Sequence, residues 1–293
     1  MADVRGFVRS RPLICFFVLA CGLSWLAWIP YVLSETGLGI WHFRFPEFLG
    51  TTQLAGVLPG AYLGPITAAA LVTALADGRA GIRVWVGRLL RWKVSWRWYA
   101  GVLLGVPAVI VLFSTALADG KVVAPPAAVL IAYVPGLLLQ MITTGLAEEP
   151  GWRDFAQPRL QQKYGPLAAA FILGPIWGVW HLPLFFSEWG DWPHVTVLGI
   201  VEFVAATTAL SIVMAWVFNR TGESLPLAML LHVSINNFFS IVWSSMYPTL
   251  TKDDVGHVML LACAVVAVIV LVATRGRLGL PKTLARKAMQ DQL

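Results

Sequence analysis

Apolar runs about as long as a bilayer is thick recur along this chain and leave few other ways for it to fold. A helix rises about 1.5 Å per residue, so one crossing takes about 20 mostly apolar residues. Runs of that kind cover 12–33, 53–76, 98–118, 126–149, 166–186, 195–218, 225–247 and 255–274. Lipid offers no partner to a free backbone N–H or C=O, so each run is expected to be a helix. The expected fold is all-α, a polytopic bundle of about eight transmembrane helices. Composition excludes the alternatives. Of 293 residues, 58% are hydrophobic and 12% charged, against about 25% charged in soluble domains. A simple cytosolic enzyme, a disordered chain and a coiled coil are ruled out.

No repeat and no low-complexity linker divides the chain, so 1–293 reads as a single integral membrane domain. The first run, Pro12 to about Leu33, is too long for a signal-peptide core of roughly 7–15 residues and reads as a retained span. Of the 21 Lys and Arg residues, all but Arg44, Lys121 and Lys252 fall on one side of the threaded bundle. The positive-inside rule then puts both termini in the cytoplasm, including the terminal Lys282, Arg286 and Lys287. The expected location is a cell membrane, a bacterial plasma membrane. The net charge of +6 is spread between apolar runs. It fits topology signals and the lipid bilayer, with no nucleic-acid partner. Cys15, Cys21 and Cys263 all lie in apolar runs without a C-x-x-C, and read as buried thiols.

Residues 79–98 stand apart. Ile82, Trp85, Val86, Leu89, Trp92 and Trp96 recur near helical spacing with Arg and Lys between them. They read as an amphipathic helix in the bilayer interface, either an anchor or a guide for substrate or lipid. Trp41, Trp189 and Trp192 fall in the opposite loops, as an aromatic belt.

Ionisable groups in or beside spans are costly, and so are functional candidates. Glu148 and Glu149 close the fourth run, and Arg153 shares a helix face with Glu149. Pro150 cannot donate to Leu146 and should kink the helix. His181, one turn after Trp177, lies in the fifth run. His232 and Asn236 share a face in the seventh. Each cluster also has a structural reading: an interfacial charge cluster, a histidine satisfied by a carbonyl, and interhelical polar glue. For Glu148 to meet the histidines, helix four must continue past it toward Gln157. His181 would lie about 22 Å from the cytoplasmic edge and His232 about 10 Å, a mismatch in depth.

In order, E-E-x-x-x-R at Glu148–Arg153, an aromatic-x-x-x-H at Trp177–His181 and H-x-x-x-N at His232–Asn236 resemble the motifs of the CPBP family of intramembrane proteases. That family includes type II CAAX prenyl endopeptidases and bacterial abortive-infection and bacteriocin-immunity relatives. The similar core covers 126–247. Trp177 stands where the family pattern has phenylalanine.

The resemblance implies an intramembrane endopeptidase. Glu148 would activate water, His181 would help hold it, and His232 and Asn236 would stabilise the oxyanion. Glu149 and Arg153 would form a supporting pair. The implied partner is a membrane protein or lipidated, CAAX-like peptide. No required cofactor is the favoured expectation. Zinc held by Glu148, His181 and His232 is the alternative, although no H-E-x-x-H is present. Two other functions stay open on the residues alone: a proton-coupled transporter, since buried Glu and His also build relays, and a non-catalytic immunity or scaffold protein.

Overall fold

The computed structural model describes residues 2–280; Lys282, Arg286 and Lys287 of the basic tail lie outside the described residues. The helices are α1 (Ala2–Ser10), α2 (Pro12–Leu33), α3 (Gln53–Ala76), α4 (Gly78–Leu89), α5 (Trp96–Leu117), α6 (Ala127–Tyr164), α7 (Pro166–Phe186), α8 (Val197–Arg220), α9 (Leu225–Met246) and α10 (Lys252–Thr274). All but α1 and α4 are long and apolar enough to cross a membrane, which makes this a multi-pass membrane protein. Among the described residues there is no strand, only an isolated bridge between Phe48 and Thr51.

Local chemistry sets where the helices begin. Proline opens α2 and α7, where a missing N–H costs nothing. Thr196 caps α8 by accepting from the Gly199 N–H at 3.0 Å, and a Thr251/Asp254 capping box starts α10.

The apolar run ends at 149, but the helix continues past Gln157 through Tyr164, as the meeting of Glu148 with the histidines requires. Arg153, Asp154, Gln157 and Arg159 lower the hydropathy of that stretch, yet Arg153, Asp154 and Gln157 are buried by neighbouring helices. Protein rather than lipid solvates them. Pro150 does not break α6, because the helix widens into π turns over Pro150–Ala156. Such turns absorb the missing N–H and cluster at functional sites. Residues 79–98 form one helix only as far as Leu89, and Trp96 and Arg97 already belong to α5. The 90–95 stretch runs as open chain, and Tyr99 donates its hydroxyl to the Trp92 carbonyl at 2.7 Å.

Helices α2 and α3 meet along a seam of small residues. Gly56, Gly60 and Gly64 lie at four-residue spacing on α3. A Cβ on any of them would run into Tyr31, Trp28 or Ser24 of α2, the close approach that small residues permit in membranes. Neutral hydrogen bonds finish this seam: Ser24 Oγ donates to the Gly60 carbonyl at 2.7 Å, and Trp28 Nε1 donates to the Val57 carbonyl at 2.8 Å. Helix α8 sits centrally between α7 and α10. It approaches α7 so closely that a Cβ on Gly178 would lie 2.6 Å from Thr207 Oγ1.

The long α6 changes character along its length. Leu130, Ile131, Val134, Leu138 and Ile142 point outward, whereas every residue from Ala147 to Ala156 is buried. The acidic pair thus sits where the helix passes from lipid into protein.

Candidate active site

Three helices bring their polar residues to one place, and Glu149 is its hinge. Its Oε2 accepts from Arg153 Nε at 3.1 Å, one turn on along α6. Its Oε1 accepts from His232 Nδ1 of α9 at 2.7 Å. Glu149 and Arg153 are fully buried, at 0% exposure. The Arg153 guanidinium lies 4.7 Å over the Trp177 ring and donates through Nη1 to Ser211 Oγ of α8 at 3.3 Å. A charge out of water persists only if paired and hydrogen-bonded, and this one has an anion, a hydroxyl and an aromatic face.

Trp177 is the second organiser. Its indole Nε1 donates to Glu148 Oε2 at 2.9 Å, and its backbone carbonyl accepts from His181 Nδ1 at 2.9 Å. The carbonyl is open to this bond because α7 tightens at His181, whose own N–H bonds to Gly178. Leu182–Phe186 then continue as 3₁₀ helix. A carbonyl only accepts, so His181 carries its proton on Nδ1 and keeps a lone pair on Nε2. The Trp177 ring also meets His232 edge-on, with centroids 5.1 Å apart. One tryptophan therefore touches Glu148, Arg153, His181 and His232.

Asn236 Nδ2 lies 3.3 Å from His232 Nε2, one turn along α9. Each of Glu148, Glu149, Arg153, His181, His232 and Asn236 therefore makes a polar bond that links it directly, or through Trp177, to another of the six. The depths also reconcile. Counting from the α6 and α7 ends, Glu148 and His181 lie about 24 and 22 Å in. His232 lies at the same level, bonded to Glu149 at 2.7 Å. Arg88 of α4 bonds both Asp154 Oδ1 and Glu223 Oε2 at 2.7 Å and so ties α6 to the turn before α9.

Helix α4 is thus fastened to the site rather than only laid in lipid. Trp85 Nε1 donates to the Pro150 carbonyl at 2.9 Å, directly after the acidic pair. Burial works against the Arg88 cation, but Asp154 and Glu223 outweigh it and hold its pKa above the ordinary value. Arg88, Asp154, Ser211 and Trp189 escape a reading of motifs alone. Trp189, assigned to a belt, stacks on His181 at 5.3 Å and 15°. An acid directly after Arg153 in an apolar context was the one available signal for Asp154; Ser211 gives none.

The residues do not fit a metal as they stand. Among the described residues no group of three or more His, Cys, Asp or Glu side chains is arranged to hold one. Both ring nitrogens of His232 already face side-chain partners, and Glu148 Oε2 is taken by an indole.

Residues 130–238, which include all six motif positions, match a family model described as Rce1-like, type II CAAX prenyl endopeptidase Rce1-like. A curated relative, CAAX prenyl protease 2 of Methanococcus maripaludis, is 29% identical over 107 residues. That alignment covers 36% of this chain and 39% of the relative, so the chain spans about two-fifths of the length of the curated protein it matches.

Proposed function

We propose, from the match of residues 130–238 to the Rce1-like family model and the likeness to a curated CAAX prenyl protease 2, that this protein is an intramembrane endopeptidase. It hydrolyses a peptide bond in a membrane-associated or lipidated, CAAX-like substrate. The observation that carries the reading is the convergence of Glu148, His181 and His232 around Trp177.

Glu148 takes a proton from water, and the hydroxide adds to the scissile carbonyl. His181 Nε2, left with its lone pair by the Nδ1 bond to Trp177, accepts the other water proton as a hydrogen bond and fixes the attack direction. Asn236 Nδ2 donates to the oxyanion, and so does Nε2 of a His232 that has taken its second proton from solvent before substrate binds, its charge held by Glu149. Donors aimed at developing charge in a dry site are worth about 3–4 kcal/mol each. Glu149 fixes His232 by its Nδ1 and is itself held by Arg153. Glu148, so protonated, delivers the proton to the leaving amine.

The reading needs no metal. It places the basic ends of the helices in the cytoplasm of a bacterial cell, with substrate entering from that side. The test compares purified wild type with Glu148→Gln on a library of lipidated and unlipidated membrane peptides, read by mass spectrometry. New termini only with wild type are expected, and their formation is expected to survive a chelator. Identical products from both proteins defeat the reading, and loss on chelation restored by zinc defeats its metal-free form.

A further inference from the structure

Between α5, α8, α9 and α10 lies a cavity of about 550 Å³ that shares no residue with the candidate active site. Its volume falls within the roughly 300–1,000 Å³ usual for bound small molecules. Its walls are apolar, with Val106, Leu210, Ile235, Phe239, Met259 and Val266 among them. One lining residue is charged: Arg97, at the start of α5.

Two features make this more than a gap between helices. Gly101 and Gly105, one turn apart on the α5 wall, face open space, for a Cβ on either would meet nothing within 4 Å. The slot is therefore kept open by missing side chains rather than by a clash elsewhere. At its mouth the Arg97 side chain is exposed and makes no ion pair or hydrogen bond among the described residues. The neighbouring Arg88 and Arg91 do pair with acids. Trp98 and Trp216 form a ring pair at 5.0 Å beside it, where tryptophans mark the bilayer interface.

An apolar slot in the membrane with an unneutralised guanidinium at the headgroup level has the complementarity of one amphiphile. We propose that this groove is a binding site for an anionic glycerophospholipid of the bilayer, with an acyl chain in the slot and the phosphate on Arg97. Basic pockets between membrane helices take such headgroups. The chain would lie against Leu231, Ile235 and Phe239, which interleave with His232 and Asn236 on α9. The bound lipid would brace the helix that carries the proposed oxyanion donors.

The test uses the full chain in detergent, titrated with phosphatidylglycerol or with phosphatidylcholine of the same acyl chains. Retained lipid is read by native mass spectrometry and stability by thermal unfolding. Wild type is expected to retain phosphatidylglycerol and to gain more Tm from it than from phosphatidylcholine. Arg97→Gln should weaken retention about fivefold, the scale of one basic residue at an anionic surface. Arg83→Gln, an equal charge change outside the groove, should leave it unchanged. Gly105→Leu, whose Cβ meets nothing within 4 Å, extends a side chain into the slot and should abolish retention of either lipid. Equal retention of both lipids by wild type, or an Arg97→Gln protein indistinguishable from Arg83→Gln, overturns the proposal. So does a Gly105→Leu protein that keeps its phosphatidylglycerol and loses only affinity for a lipidated substrate. These readouts need no peptidase activity, so they stand apart from the proposed reaction.

Discussion

Two seams hold this bundle together by opposite means. Between α2 and α3 the contact is neutral: glycines admit aromatic rings, and hydroxyl and indole groups satisfy backbone carbonyls. Between α6, α7 and α9 the contact is ionic, with a fully buried Glu149–Arg153 pair and two histidines. Both bring helices together, so adhesion alone does not require charge. Desolvating an ion pair costs several kcal/mol per ion and is often no better for stability than apolar packing. A bundle that glues α2 to α3 with glycine has no mechanical need for carboxylates elsewhere. In the proposed mechanism the second seam keeps them because the reaction uses them.

The largest expected effect separates Glu149 from its neighbour. Glu149→Ala leaves Arg153 buried without its anion and should cost about 3–5 kcal/mol of stability, seen as a large drop in Tm. Glu148→Gln keeps an acceptor for Trp177 and should fold as wild type while activity falls by about 10²–10⁴-fold. Equal destabilisation by both would erase the distinction between a structural and a reacting carboxylate. Next comes Asn236→Ala, which removes one oxyanion donor but not the base. Activity should fall by about 10²–10³-fold and remain measurable at unchanged Tm. In the neutral seam the pattern inverts. Gly60→Leu forces a side chain into Trp28 and should destabilise by at least about 1–3 kcal/mol, while the activity of each folded molecule is kept. An effect of similar size, read in turnover rather than in stability, is expected for Trp177→Phe. It keeps a ring under Arg153 but deletes the donor to Glu148, a hydrogen bond to a charged group worth about 1.5–3 kcal/mol. Steady-state kinetics should show a loss of kcat of at least about tenfold with KM little changed. A pure rise in KM would make Trp177 a packing residue.

How much of this is legible without coordinates depends on whether the signal is local. The spans are, because lipid imposes one periodicity and one length, and 12–33, 53–76 and 166–186 coincide with α2, α3 and α7. The end of α6 is not legible from hydropathy; only the need for Glu148 to reach the histidines extends it toward Gln157. Hydropathy assumes lipid as the solvent, whereas residues 150–157 are solvated by neighbouring helices. The spacing of Glu149 and Arg153 shows on the chain; their respective partners His232 and Ser211 do not, since they come from 83 and 58 residues away. Helix α4 shows its amphipathic character in sequence but not its destination. Only the fold reveals that Arg88 meets a buried acid on α6 and an acid in the turn before α9.

Both site histidines are held by the same ring atom, His181 by a carbonyl and His232 by a carboxylate. Imidazole in water exchanges its proton between two nitrogens and tumbles among rotamers. Here neither freedom remains, because each bond names the nitrogen that carries hydrogen and the direction the other one faces. In the proposed reaction, water meets the Nε2 of His181 and the oxyanion that of His232, each already aimed. The entropy of that selection is spent when the bundle folds, not when the substrate arrives. Chain folding and reaction rate are in this sense one transaction, and a mutation that merely lets either ring turn over should slow the chemistry without removing a single reacting atom.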